Sequence, residues 1–149
     1  MTRKRKIVIA VLLIITLLWT AFIFSRSMKT ASVSAGESGR LTALLQALLE
    51  GFPISEHLIR KLAHFGEYLI LVLPLTGAAI LMMRKWLPAA AWGYAVVVAA
   101  CDEFIVQVIS GRGSRFSDVL IDSAGALVGV IAMICLTAAY RWYCRRQDQ

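Results

Sequence analysis

The stretch IVIAVLLIITLLWTAFIF, at positions 7–24, runs for 18 residues without a charge. At about 1.5 Å rise per residue it makes a helix about 27 Å long, close to the roughly 30 Å hydrocarbon core of a bilayer. Three more runs of this kind follow. Positions 62–83 are apolar except for His64 and Glu67 near the start, and 86–108 carry Asp102, Glu103 and Gln107 only in the last third. Positions 119–140 carry Asp122 in the first turn. Backbone polar groups in lipid must be satisfied within their own segment, so runs of this length read as helices, and a barrel would need many alternating strands. The expected fold is an all-α polytopic membrane protein, a single domain over 1–149 with four transmembrane helices. Pro88 suits a first helical turn, and Pro74, in mid-span, predicts a kink.

Composition agrees. Of 149 residues, 59 % are hydrophobic and only 17 % charged, and the mean hydropathy is +0.72. A soluble chain this short has too much surface for its volume to hide that apolar share. The 16 basic against 9 acidic residues leave a net charge of +7. The basic residues flank the apolar runs, which points to membrane edges rather than nucleic acid. Cys101, Cys135 and Cys144 form no CxxC pair, so they read as small apolar fillers and not as a disulfide framework or a zinc site.

The cluster Arg3-Lys4-Arg5-Lys6 before the first run resembles the start of a signal peptide. The apolar stretch is longer than the usual 7–15 residues or so, so an uncleaved anchor is expected. The basic side of the first helix stays in the cytoplasm, which makes both termini cytoplasmic. Arg84, Lys85, Arg141, Arg145 and Arg146 fall on that inner side; Arg26, Lys29, Arg40, Arg60, Lys61, Arg112 and Arg115 fall outside. The expected location is a bacterial cytoplasmic membrane crossed several times. Between spans one and two, Leu41, Leu44, Leu45, Leu48, Leu49 and Phe52 recur at helical spacing. They predict an amphipathic extracytoplasmic helix lying on the membrane, ended by Gly51 and Pro53, with Ser55 capping the next helix.

The chemistry lies in where the remaining polar residues fall. Up-and-down threading brings Arg60, Lys61, His64 and Glu67, then Asp102, Glu103 and Gln107, then Arg112, Arg115, Asp118 and Asp122 to one membrane face. An ionised carboxylate at the bilayer centre costs about 2.5–3.5 kcal/mol. Glu67, Asp102, Glu103, Asp118 and Asp122 together would exceed about 12 kcal/mol, against a whole-domain stability of about 5–15 kcal/mol. They must therefore face each other, water or a ligand. His64, Glu67 and Tyr68 share one helix face, as do Glu103 and Gln107. Asp118, Asp122, Gly125 and Gly129 also share a face, and the two glycines permit close helix contact, so that stripe is expected inside the bundle.

The segments RKLAHFGEY at 60–68, DEFIVQ at 102–107 and GRGSRFSDVLID at 111–122, with Gly125 and Gly129 beyond, resemble the three signatures of VanZ-like membrane proteins. The likeness covers about 60–130 and extends to the first span. Two positions depart from the family pattern: Val106 stands where a second histidine is common, and Asp122 where asparagine is common. The resemblance implies a small polytopic protein of the bacterial cell envelope, with a link to resistance against the glycopeptide antibiotic teicoplanin.

Three functional readings follow. In the first, Arg60, Lys61, His64, Glu67, Tyr68, Asp102, Glu103, Gln107, Arg112, Arg115, Asp118 and Asp122 bind the head group of an anionic lipid, a cell-wall precursor or a glycopeptide antibiotic. Arginine pairs bidentately with phosphate or carboxylate, and the acids meet sugar hydroxyls or hold the arginines. In the second, His64 with Glu67, Asp102 or Glu103 performs acid/base catalysis on a lipid-linked substrate, although no G-x-S-x-G, H-E-x-x-H or P-loop is present. In the third, the charges only lock the helices together. No cofactor, no resident metal and no nucleic-acid partner are expected; a single histidine in the cluster would favour a hard cation over zinc. His57, Glu37, Glu50 and Asp148 read as solvated. Trp19, Trp86, Trp92, Trp142, Tyr140 and Tyr143 read mostly as interface markers.

Overall fold

Thr2 and Ser55 set where two of the helices begin. Each hydroxyl accepts a backbone N–H three residues on, from Arg5 at 3.4 Å and from Leu58 at 3.2 Å, which satisfies an otherwise orphaned first-turn donor. The computed structural model describes residues 2–28, 55–82, 87–110 and 116–147, without the side chains of residues 56, 106, 107, 109 and 110. Four helices result: α1 (Arg3–Ser27), α2 (Glu56–Leu81), α3 (Leu87–Ser110) and α4 (Phe116–Gln147). All four are long and apolar enough to cross a membrane, and no strand occurs among the described residues. The all-α, four-span fold stands as expected.

The helices outrun the apolar runs that announced them. The 32 residues of α4 reach about 48 Å, so its last turns, with Arg141, Arg145 and Arg146, project beyond a core of about 30 Å. There the Arg146 guanidinium sits 4.0 Å over the ring of Trp142. Helix α2 continues through Pro74; the missing N–H removes one bond from the ladder without ending the helix. The surface leucine stripe at 41–52 lies outside the described residues.

The bundle is apolar on the outside, as lipid solvation requires, and its apolar core holds a few buried polar residues. Leu17, Leu18, Val97, Phe104 and Leu136 are exposed, while Thr16, Thr20, Thr76, Asp102 and Asp122 are buried. Hydroxyls of Thr16, Thr20, Ser123 and Thr137 return to carbonyls four residues back, at 2.7–2.9 Å, which hides them from lipid. Cys101 and Cys135 face outward and all three cysteines are unpaired. They are not core fillers, because the helix faces that carry them point away from the bundle.

The tightest contact is between α2 and α4, which run parallel. A methyl group at Gly125 would strike the backbone carbonyl of Phe65, and one at Gly129 would lie 2.6 Å from that of Leu69. Both pairs step by four residues, so one row of α4 without side chains lies along one row of α2 backbone. Tyr68, Leu71 and Val72 of α2 pack there with Ala126 and Val130 of α4, and with Ala95, Val98 and Ala99 of α3.

Candidate functional site

The glycine contact fixes what lies a turn above it. His64 precedes Phe65 on α2, and Asp122 precedes Gly125 on α4, so close backbones bring His64 Nδ1 within 4.0 Å of Asp122 Oδ1. Asp102, from the last third of α3, joins them, with His64, Glu103 and Glu67 among its electrostatic neighbours. Tyr68 lies one turn below His64 and neighbours Asp102, Asp122, Glu67 and Glu103. Asp118 adds to the field at Asp122 from the first turn of α4, where the Ser117 hydroxyl donates to it at 3.2 Å. Three helices thus bring their ionisable residues to one shared region at a single end of the bundle.

Helix α1 completes the site, a contribution the sequence did not announce. Arg26 pairs with Glu67 at 3.2 Å, and Ser27 lies beside Asp102. The Trp19 indole donates to the Glu67 carbonyl at 2.9 Å, and the Thr20 hydroxyl meets the Tyr94 phenol at 2.9 Å. Trp92 similarly donates to the Ser123 carbonyl at 3.0 Å. Trp19 and Trp92 are therefore straps between helices, not interface markers: each spends its single N–H on a neighbouring backbone. Arg26 could have been found, since it follows the first apolar run at the same end as the other charges.

The polar centre is buried and short of partners among the described residues. Tyr68 is fully buried, Asp102 and Asp122 are 1 % exposed, and the His64 side chain is 37 % exposed. His64 Nδ1, the Tyr68 hydroxyl, Asp102 Oδ1 and Asp122 Oδ1 are all buried without a hydrogen-bond partner among the described residues. Such atoms cost about 1–3 kcal/mol each when left unsatisfied, and native proteins carry few of them. Four in one place form a lining of unmet hydrogen-bond demand, with His64 open on one side.

Arg60, intermediate in exposure, is engaged with neighbours, as is Glu103; Lys61 is half-buried on the same end of α2. The side chain of Gln107, and Arg112 and Arg115 entirely, lie outside the described residues. Among those described, no three His, Cys, Asp or Glu side chains are grouped to hold a metal ion.

A comparison with protein families matches residues 11–137 to the VanZ/LLP1 family. The match spans all four helices. No curated protein and no solved structure matches the chain. The chain belongs to the VanZ-like (VanZ/LLP1) family of membrane proteins.

Proposed function

We infer that this VanZ/LLP1 family member is a protein of the bacterial cell envelope that binds the polar head group of an amphiphile in the chamber between α2, α3 and α4. The observation that carries this reading is the convergence of four buried, unpartnered polar atoms, on His64, Tyr68, Asp102 and Asp122, beneath a half-open histidine. Buried polar groups without a partner in the protein are of the kind that small-molecule sites use to orient a ligand. The bilayer supplies amphiphiles at the level of such a chamber.

The basic flank of α1, Arg3 to Lys6, sits at the end opposite the chamber, which by the positive-inside rule makes both termini cytoplasmic and opens the chamber on the extracytoplasmic side. Arg112 and Arg115, which lie in sequence between α3 and α4, then take the anionic part of the head group. The acids take its hydroxyl or amino groups. A lipid-linked cell-wall precursor carries both kinds of group, and a glycopeptide antibiotic, the theme of the family's namesake, carries sugars and ionised groups on a bulky scaffold.

The test pairs Arg112→Ala and Asp118→Ala with teicoplanin susceptibility and with binding of a labelled polyprenyl-diphosphate sugar to the purified protein. Both variants are expected to insert at normal levels, to lose protection, and to bind the precursor at least tenfold more weakly. Retained protection and binding in both would refute the reading.

His64 near Asp122 favours a second reading. A buried carboxylate that closes from 4.0 Å to hydrogen-bond distance of Nδ1 would orient the imidazole and leave Nε2 free as a general base, as in a membrane-embedded hydrolase or transferase. Turnover of a labelled polyprenyl phosphate by the wild type, lost in His64→Ala, would establish it; saturable binding without turnover would exclude it.

A further inference from the structure

The deep end of the chamber is not suited to an anion. Its most buried groups, Asp102 and Asp122, each present an unpartnered carboxylate oxygen, and the unpartnered Tyr68 hydroxyl lies in the field of both. Among the described residues, neither Arg26 nor His64 makes a close ion pair with either aspartate. Arg26 is held by Glu67, and His64 stands 4.0 Å from Asp122, beyond hydrogen-bond reach. Asp118 and Glu103 add further negative charge from the same elements. Coulomb attraction is strong between buried groups, so a positive group suits this place better than an anion.

It must also donate several hydrogen bonds at once. A primary ammonium has three N–H donors around one compact charge, enough for one oxygen of each aspartate and the phenol oxygen. A quaternary ammonium offers no N–H. A neutral hydroxyl donates once and leaves the charge uncompensated.

We propose that the buried cluster of Asp102, Asp122 and Tyr68 is a subsite for a primary ammonium group, borne by the head group of the bound amphiphile or by an amino sugar. The subsite rests on the head-group reading above and adds which end of the head group goes deepest: the amine lies under the bundle's polar roof, and the anionic part stays at the mouth.

Two matched probe pairs test it on the purified full-length protein. Phosphatidylethanolamine and its N-acetylated form share phosphate and tails and differ in the amine, and binding is read by native mass spectrometry. Glucosamine and N-acetylglucosamine do the same for the sugar source, read by calorimetry. The wild type is expected to prefer the free amine at least tenfold in one pair, and that pair identifies the source. Asp102→Asn and Asp122→Asn are expected to abolish the preference while the circular-dichroism spectrum and thermal midpoint show a folded protein; should either fail to fold, Tyr68→Phe is expected to reduce the preference about tenfold. Equal affinity within both pairs, or a preference unchanged in the folded aspartate variants, overturns the subsite, even with the polyprenyl-diphosphate sugar still bound. If neither the probes nor that precursor bind, the head-group reading itself falls.

Discussion

The two ends of the bundle solve opposite problems. At the end carrying the chain termini, α1, α2 and α3 leave an apolar cleft of about 230 Å³, lined by Leu13, Leu75, Ala79, Met82, Ala90 and Tyr94 among others. Nothing in it demands a partner, since lipid tails or a repacked side chain meet alanine and leucine equally well. At the far end, α2, α3 and α4 bring carboxylates, a phenol and an imidazole together, and four of their buried atoms have no hydrogen-bond partner among the described residues. Apolar groups are buried at no cost in hydrogen bonds, whereas polar groups without partners are costly to bury.

Substitutions can break this contrast. The largest effect is expected where the two halves are joined. Gly125→Leu and Gly129→Leu force side chains into the carbonyls of Phe65 and Leu69, and rigid backbone cannot give way. The expected cost is about 3 kcal/mol or more, the upper range of overpacking, read as a collapse of the thermal midpoint in detergent. Gly66 faces open space, so Gly66→Ala is the control, and it should hold or gain up to about 1 kcal/mol through helix propensity. Equal losses at Gly66 and Gly125 would mean that the glycine seam does not organise the bundle.

Next come the chamber's own residues, where stability and function should part. Asp102→Asn keeps the shape and removes a buried carboxylate, one oxygen of which has no hydrogen-bond partner among the described residues. The thermal midpoint should rise by the equivalent of about 1 kcal/mol while ligand binding falls. A destabilised Asp102→Asn protein would show instead that the carboxylate serves the fold, as in the purely structural reading.

A smaller effect is expected at the rim. Arg26→Gln leaves Glu67 unpaired, but the arginine is 43 % exposed, so solvent screening limits the loss to about 1 kcal/mol. Trp19→Phe keeps the ring and loses one interhelical hydrogen bond to the Glu67 carbonyl, a loss of about 0.6–1 kcal/mol. Smallest of all, Ala90→Leu in the apolar cleft should change the midpoint by no more than about 0.5 kcal/mol. A loss there as large as at the chamber would remove the distinction between the two ends.

Much of this was legible in the chain before any coordinates. Runs such as 7–24 declare helices because lipid allows no other backbone. The charges of 60–67, 102–103 and 118–122 declare a common end because each span reverses direction. Gly125 and Gly129 declare a close contact because nothing else at that spacing lacks a side chain. What stayed hidden depends on which helices touch. Trp19 has the ordinary look of a membrane-edge aromatic, and only the packing of α1 against α2 gives its indole a carbonyl to reach. Arg26 reads as one flank charge among several until Glu67 is set beside it. Pairing between distant helices is a property of the assembled bundle, and no local pattern encodes it.

The central claim is that His64 of α2 and Asp122 of α4 meet inside one chamber. The most direct measurement joins them chemically. In a background with Cys101, Cys135 and Cys144 replaced by serine, His64→Cys and Asp122→Cys are introduced together, and native membranes are treated with the shortest bifunctional thiol reagent. An intramolecular bridge between positions 64 and 122, found by mass spectrometry, is predicted, with none between Ile70→Cys and Asp122→Cys. Bridging of the control pair with no link between 64 and 122 would contradict the account.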